Sequence, residues 1–343
     1  MSIVSKKINH LSKRGFDVTL LSMTNCKKPF YTINENVHLI CCDIESGKII
    51  TVLRGLKKAI NCIRNGRYDT IISADAMYVT WIIPFIAKAR TILEIHQSFD
   101  GLVEYYHRSK FGRLNLFIHR MLQRVAFTKY SKIVVLTEED KKKWNYDNII
   151  VIPNFHCERI ISEQCLPNKN HKVIVCIGRY SYQKGVDLLV AVWKIIANKY
   201  PNWELHYYGI AQDSHIDYEL KRLDAPSSFL IRGYEKDLTR IFSSAYINVV
   251  PSRCESFSLT TIEAMCYGVP TVSFDTTGPK SLIDDGIDGY LIERFDIEKM
   301  ANIIDYLITN TAKRDKMSLN CTIKALLYTE DLIMEKWINL LNT

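Results

Sequence analysis

Long apolar runs are missing from this 343-residue chain, and none approaches the roughly 18 residues needed to cross a bilayer. The best candidate, Thr80–Ala87, is short and carries Pro84. Nothing ahead of the first helical pattern reads as a signal peptide. The ten cysteines form no Cys-x-x-Cys pair, and no Cys/His spacing supports zinc, so no metal site is expected. Without an export signal the cysteines are expected as reduced thiols. Gly-x-Gly-x-x-Gly is absent, which argues against a dinucleotide oxidoreductase, and there is no Walker A loop. No helix-turn-helix, zinc-finger or RRM-like pattern appears, so nucleic acid is not an expected partner. Acidic residues are missing between Glu45 and Asp69, and again between Glu104 and Glu138.

What is present is uneven. Residues 1–171 carry 26 Lys and Arg against 15 Asp and Glu, a net +11, and residues 172–343 carry 19 against 22, a net −3. The asymmetry suggests that the basic half faces an anionic partner, with a membrane surface the leading choice. The second acid-free stretch holds Arg108, Lys110, Arg113, Arg120, Arg124, Lys129 and Lys132. Within it Leu114, Phe117, Ile118, Met121, Leu122 and Val125 recur at helical spacing. The plain reading is a core-facing stripe with a basic outer face. The sharper one places that outer face at anionic lipid.

Length favours two domains. Helix and strand patterns alternate throughout, the mark of parallel α/β architecture. Helices are predicted over Met1–Arg14, Ile49–Asn65, Met77–Ala89, Glu138–Trp144 (capped by Thr137), Val186–Lys199 and Asp331–Leu341. Strands are predicted over Phe16–Met23, Val37–Asp43, Asp69–Ser73, Thr91–Ile95, Lys132–Thr137, Asn148–Asn154, Lys172–Arg179, Trp203–Gly209 and Phe229–Gly233. The polar, irregular stretch 155–171 is the expected linker, between domains at 1–154 and 172–327. Residues 328–343 then form a last helix on which Trp337 is expected to pack.

Chemistry concentrates in Pro251–Pro270, PSRCESFSLTTIEAMCYGVP. The strand Ala245–Val250 ends at Pro251, a helix runs over Leu259–Tyr267, and the strand Thr271–Phe274 follows. A helix beginning near Ser258 points its free N–H groups, those of Ser258 and Leu259 among them, and its positive dipole end out of the loop, where phosphate is favoured. Glu255 in the loop and Glu263 in the helix are acceptor-only carboxylates suited to sugar diols. Read blandly, Glu255 is a cap and Glu263 a solvated helix residue. Ahead of them, Gly178-Arg179 and Lys184-Gly185 place two cations at a strand-to-helix turn. Fixed Arg and Lys donors there suit a diphosphate leaving group.

Pro-Ser-Arg, Glu-x7-Glu with Phe257 between, and Glu-Ala-Met-x-x-Gly-x-Pro together resemble the donor-site signature of family 4 retaining glycosyltransferases. The resemblance implies the GT-B fold, two Rossmann-like doubly wound α/β domains facing a central cleft. It also implies sugar transfer from a nucleotide diphosphate with retention, by front-face attack, using Arg179 and Lys184 against the diphosphate and neither metal nor cofactor. By the same resemblance Glu255 and His96, after the strand Thr91–Ile95, act on the donor sugar. Glu263, Gly178, Ser256, Phe257, Ser258 and Leu259 line the donor site, Gly233 and Tyr234 hold the base, and Gly278 lets backbone approach the donor. Ser256 stands where a glycine is common. The expected donor is a UDP-sugar ahead of a GDP-sugar, and the acceptor a glycan or lipid-linked glycan in capsule, exopolysaccharide or lipopolysaccharide assembly. The expected location is the cytoplasm, or the inner face of the plasma membrane.

The family also has a strand and a glycine-rich loop ahead of the first helix, and neither is found here. The expectation is a truncated chain or a misplaced start. Two alternatives stay open, an inactive GT-B protein that only binds nucleotide and a nucleotide-sugar epimerase of the same architecture.

Overall fold

The computed structural model describes residues 2–24, 31–45, 47–74, 79–108, 112–156, 171–209 and 214–343. The chain divides into two units, Met1–Asn154 with Asp331–Thr343, and Phe155–Glu330.

The first unit runs α1 (Ser2–Lys13), β1 (Thr19–Ser22), β2 (His38–Cys41), α2 (Ile49–Asn65), β3 (Thr70–Ala74), α3 (Val79–Ile86) and β4 (Arg90–Glu94). It continues through α4 (Phe99–His107), α5 (Gly112–Phe127), β5 (Lys132–Val135), α6 (Glu138–Trp144) and β6 (Ile149–Val151). All pairings are parallel, in two sheets, β1-β2 and β3-β4-β5-β6. Among the described residues no strand bridges β1 to β3. Leu93, Ile133 and Val135 of the central strands meet Ile83, Phe127 and Trp144 in one core.

Local chemistry explains the element ends. The Asp140 N–H donates to Thr137 Oγ1 at 3.0 Å, closing the first turn of α6. Three acids in that turn and three lysines in the last oppose the helix dipole favourably, and Asn145 closes the helix in the left-handed region at φ 53°.

The second unit runs β7 (Val173–Ile177), α7 (Val186–Lys199), β8 (Glu204–Tyr208), α8 (Ser214–Arg222), β9 (Phe229–Gly233), α9 (Leu238–Phe242) and β10 (Ile247–Val250). Then follow α10 (Leu259–Cys266), β11 (Thr271–Phe274), α11 (Thr277–Leu282), β12 (Gly289–Ile292), α12 (Ile297–Thr309) and α13 (Thr311–Ala325). Its six strands form one parallel sheet in the order β12-β11-β10-β7-β8-β9. Alternation along β7 divides two cores. Ile174 and Cys176 join the cluster of Leu189, Trp193 and Ile304, while Val175 joins that of Phe242, Met265 and Cys321.

The last helix, α14 (Glu330–Asn342), belongs almost entirely to the first unit. Trp337 is buried under the Lys7 ammonium, 3.7 Å from its ring centre, Arg14 pairs with Glu335, and Arg90 donates to the Leu340 carbonyl at 2.8 Å.

Several expectations need correction. Phe155 and His156, assigned to the linker, are buried in the second unit, where the His156 N–H donates to the Tyr328 carbonyl at 3.0 Å. The rest of that linker, 157–170, lies outside the described residues. Gly278, expected to let backbone approach the donor, lies inside α11, and Pro279 beside it falls in the first turn, where a missing N–H costs nothing. Helices α4 and α8 were not anticipated. Cys41 is disulfide-bonded, against the expectation of thiols throughout, whereas Cys42, Cys62, Cys176, Cys254, Cys266 and Cys321 are free. The stripe on α5 faces outward.

Candidate active site

In the second unit the strand order reverses between β7 and β10. An open α/β sheet binds ligands outside the carboxyl ends of its strands at such a point. The loop after β7 carries Arg179 and Lys184, and the loop after β10 carries Glu255. Lys184 Nζ lies 2.6 Å from Glu255 Oε2, both partly buried, so one ion pair spans the switch point. Arg179 is exposed, and its guanidinium has no ion-pair partner among the described residues. Gly178 sits against the Lys184 side chain, and its N–H donates to the Tyr208 carbonyl at 2.9 Å.

The two loops are locked together by residues to which the sequence reading gave no role. Arg253 donates to both Asp187 carboxylate oxygens, at 2.8 and 2.6 Å, and to the Tyr182 carbonyl at 2.8 Å. Its guanidinium stacks 3.9 Å from the Tyr182 ring centre. Those hydrogen bonds hold Asp187 below the usual carboxylate range. Gln183 adds a bond to the Cys254 carbonyl at 3.1 Å. Gly185 packs so tightly beneath this junction that a Cβ would lie 2.2 Å from the Pro251 carbonyl oxygen, and its φ of 64° suits glycine independently. The signal for Arg253 was present in Pro-Ser-Arg, but nothing in sequence pointed to Asp187, 66 positions away.

Ser258 opens α10 in the left-handed region, at φ 65° and ψ 71°, buried, with its hydroxyl 2.8 Å from that of Thr261. A serine held there is a strained position of the kind that collects at ligand sites. Leu259 and Ser256 are half-buried. Glu263 is half-buried in the fifth position of α10, between buried Ile262 and Ala264. Phe257 packs its ring against Tyr328, so its side chain belongs to the core and only its backbone lies in the loop. Gly278 donates its N–H to the Glu255 carbonyl at 2.8 Å, and a Cβ there would lie 2.6 Å from Phe257 backbone. The close approach that Gly278 permits is therefore to the chain's own loop. At the other side of the switch point, Gly233 ends β9 and its carbonyl accepts from Gly209 at 2.8 Å, while Tyr234 is exposed beyond it.

His96 stands on the first unit, directly after β4, and is half-buried. Its Nε2 is 3.5 Å from Glu94 Oε1, the oxygen that also receives the Lys7 ammonium. Burial would raise Glu94, but Lys7 and His96 outweigh it and lower the carboxyl to about 2. Burial also pulls Lys7 below its ordinary value, against the attraction of Glu94. Lys7 and Glu94, 87 positions apart, had no sequence signal as a pair. Among the described residues no three His, Cys, Asp or Glu side chains gather as a metal site would require.

A family model described as Glycosyl transferases group 1 matches residues 158–322. An uncharacterized glycosyltransferase of Haemophilus influenzae is 29% identical over 344 residues, covering 97% of this chain and 93% of that protein. The amylovoran biosynthesis glycosyltransferase AmsD of Erwinia amylovora is 25% identical, covering 97% and 92%. An uncharacterized 41.2 kDa protein in the cps region of Klebsiella pneumoniae is 30% identical, covering 78% and 81%. Among solved structures, a sucrose-phosphate synthase from Thermosynechococcus elongatus superposes with TM-score 0.78 at 17% identity, over 98% of this chain and 91% of that one. Anabaena HepE, in complex with UDP and glucose, superposes with TM-score 0.75 at 17% identity, over 100% and 95%. The structural likenesses are likenesses of fold.

Proposed function

The chain belongs to the glycosyl transferases group 1 family and has the GT-B fold, and we propose that it transfers a sugar from a UDP-sugar to a glycan or lipid-linked glycan acceptor, with retention. The observation that carries this reading is the Lys184–Glu255 pair across the switch point, beside an exposed Arg179.

The chemistry follows from charge. Breaking the glycosidic bond leaves a nucleoside diphosphate with added negative charge. Lys184 is already neutralised by Glu255, so the pair positions an ammonium without adding net positive charge. Arg179 and the first N–H groups of α10 supply the rest of the attraction. Glu263, as an acceptor, suits the ribose diol, and Glu255 suits hydroxyls of the transferred sugar. No side chain is assigned as a covalent nucleophile: the acceptor hydroxyl oxygen bonds to the anomeric carbon on the face from which the diphosphate oxygen leaves, and its proton passes to that departing phosphate. Uridine is preferred because the neighbour HepE is solved with UDP and glucose. A role in surface polysaccharide assembly draws on the relatives named for amylovoran and the cps region.

Calorimetric titration with UDP and with GDP tests the donor half. UDP should bind and GDP bind more weakly, with Arg179→Ala and Glu263→Ala each weakening UDP about tenfold or more. Binding of neither nucleotide by the parent protein would overturn the assignment. Transfer from a UDP-sugar, assayed with and without EDTA, separates a transferase from an epimerase. Insensitivity to the chelator is the expected outcome. His96→Ala probes the first unit separately: lower transfer with unchanged UDP binding is expected if His96 touches the sugar.

A further inference from the structure

Helix α5 turns its apolar side to solvent. Phe117 is 67% exposed, and Leu114, Ile118, Met121, Leu122 and Val125 are exposed with it. What the helix buries is Gly112, Gln123, Ala126 and Phe127. The exposed positions recur at spacings of three and four, so they form one stripe along the helix. Helix α3 packs against α5 and adds exposed Ile82 and Phe85. Single exposed apolar residues are ordinary, but a contiguous patch marks an interaction surface.

The charge beside the stripe decides what it meets. Arg113, Arg120 and Arg124, seven and four positions apart, fall on one flank of the apolar face, and all three are exposed. No acid lies between Glu104 and Glu138 in the sequence. A second copy of the chain in an antiparallel two-fold contact would bring one arginine column against its equal. An anionic lipid surface offers phosphates to the arginines and an acyl boundary to the stripe.

We propose that α5 is a membrane-docking helix, lying in the plane of an anionic bilayer with its apolar stripe inserted below the headgroups and its arginines among them. Among the described residues no helix is long and apolar enough to cross a membrane, so the attachment is interfacial. This differs from adsorption by charge alone, because insertion survives salt that screens the arginines.

The test is sedimentation of the full chain with vesicles of phosphatidylglycerol and phosphatidylcholine, or of phosphatidylcholine alone, at low and high salt. The parent protein should bind the anionic vesicles, keep a measurable part of that binding at high salt, and bind neutral vesicles more weakly. Phe117→Ser with Met121→Ser should reduce binding about tenfold or more at both salts, with circular dichroism and thermal midpoint unchanged. Arg113→Gln with Arg124→Gln should lose only the preference for anionic lipid. Absence of binding to anionic vesicles at low salt would overturn the proposal, as would binding indifferent to the serine pair. So would a dimer seen by light scattering that the serine pair dissolves in a protein that ignores vesicles. None of these readouts involves nucleotide or sugar, so they stand apart from the donor-site reading.

Discussion

Each unit places a lysine–glutamate pair at the carboxyl end of its sheet, and the two pairs are built for different ends. In the first unit Lys7 and Glu94 are 4% and 3% exposed, and the ammonium is also covered by Trp337. In the second, Lys184 and Glu255 are 22% and 13% exposed, beside the exposed Arg179. A pair that water reaches can exchange a partner for a ligand phosphate or hydroxyl. A pair that water does not reach is fixed, and removing either member strands the other in the interior. The sheets differ in parallel. The second unit has β7 between β10 and β8, with its loop supplying the cations, whereas β1 and β3 of the first unit are not joined among the described residues. Similar residues at corresponding places thus become a candidate binding site in one unit and a buried strut in the other.

The sharpest way to break that comparison is to remove each lysine. Lys184→Ala should lower sugar transfer by about 10²-fold or more while changing stability by only about 1 kcal/mol. Lys7→Ala should do the reverse, costing about 3–5 kcal/mol of stability by leaving Glu94 unpaired, read as a lower chemical-denaturation midpoint. Much of that loss should return in Lys7→Met combined with Glu94→Gln, since removing both charges avoids the orphan. Equal stability losses from the two alanine variants would erase the distinction. Gly185→Ala should be as severe as Lys7→Ala, by a steric route, because its Cβ has no room against the Pro251 carbonyl.

How much of this could be read in the sequence depended on how local the cause was. Helices α2, α6 and α7 were legible to within a residue because their periodicity, caps and flanking residues lie inside the element. The positions of the second unit's loops were legible because Pro251 and the Gly178–Gly185 turn mark their bounds locally, while the roles given to Glu255 and Glu263 came from the family resemblance and not from their spacing. The direction of α5 was not legible. Periodicity reveals that a stripe exists, but which side packs is set by the elements that happen to lie beside it, here α3 and α4. The Arg253–Asp187 clamp and the Lys7–Glu94 pair escaped because each joins residues far apart in the chain, with nothing at either end to announce the other.

The smallest effect sharpens the comparison within the first unit, between two buried carboxylates. Burial raises Asp140 to about 6, against the hydrogen bond it accepts from the Phe99 N–H at 2.9 Å, whereas Lys7 and His96 lower Glu94 to about 2. Their signs are opposite. Asp140 holds its proton more tightly folded than unfolded, so it penalises the fold above about pH 6 and the penalty lifts as pH falls toward its ordinary value of 3.8. Glu94 contributes stability above its ordinary value of 4.5 and loses it as pH falls toward 2. Asp140→Asn keeps the acceptor for Phe99 and removes the titration. Urea denaturation of the parent and the variant at pH 7 and pH 5 should therefore show the parent gaining on the variant by about 1–2 kcal/mol at the lower pH. A difference that stays constant between the two pH values would mean that Asp140 is ionised throughout, and that the Phe99 and Thr137 bonds outweigh its burial as Lys7 does for Glu94.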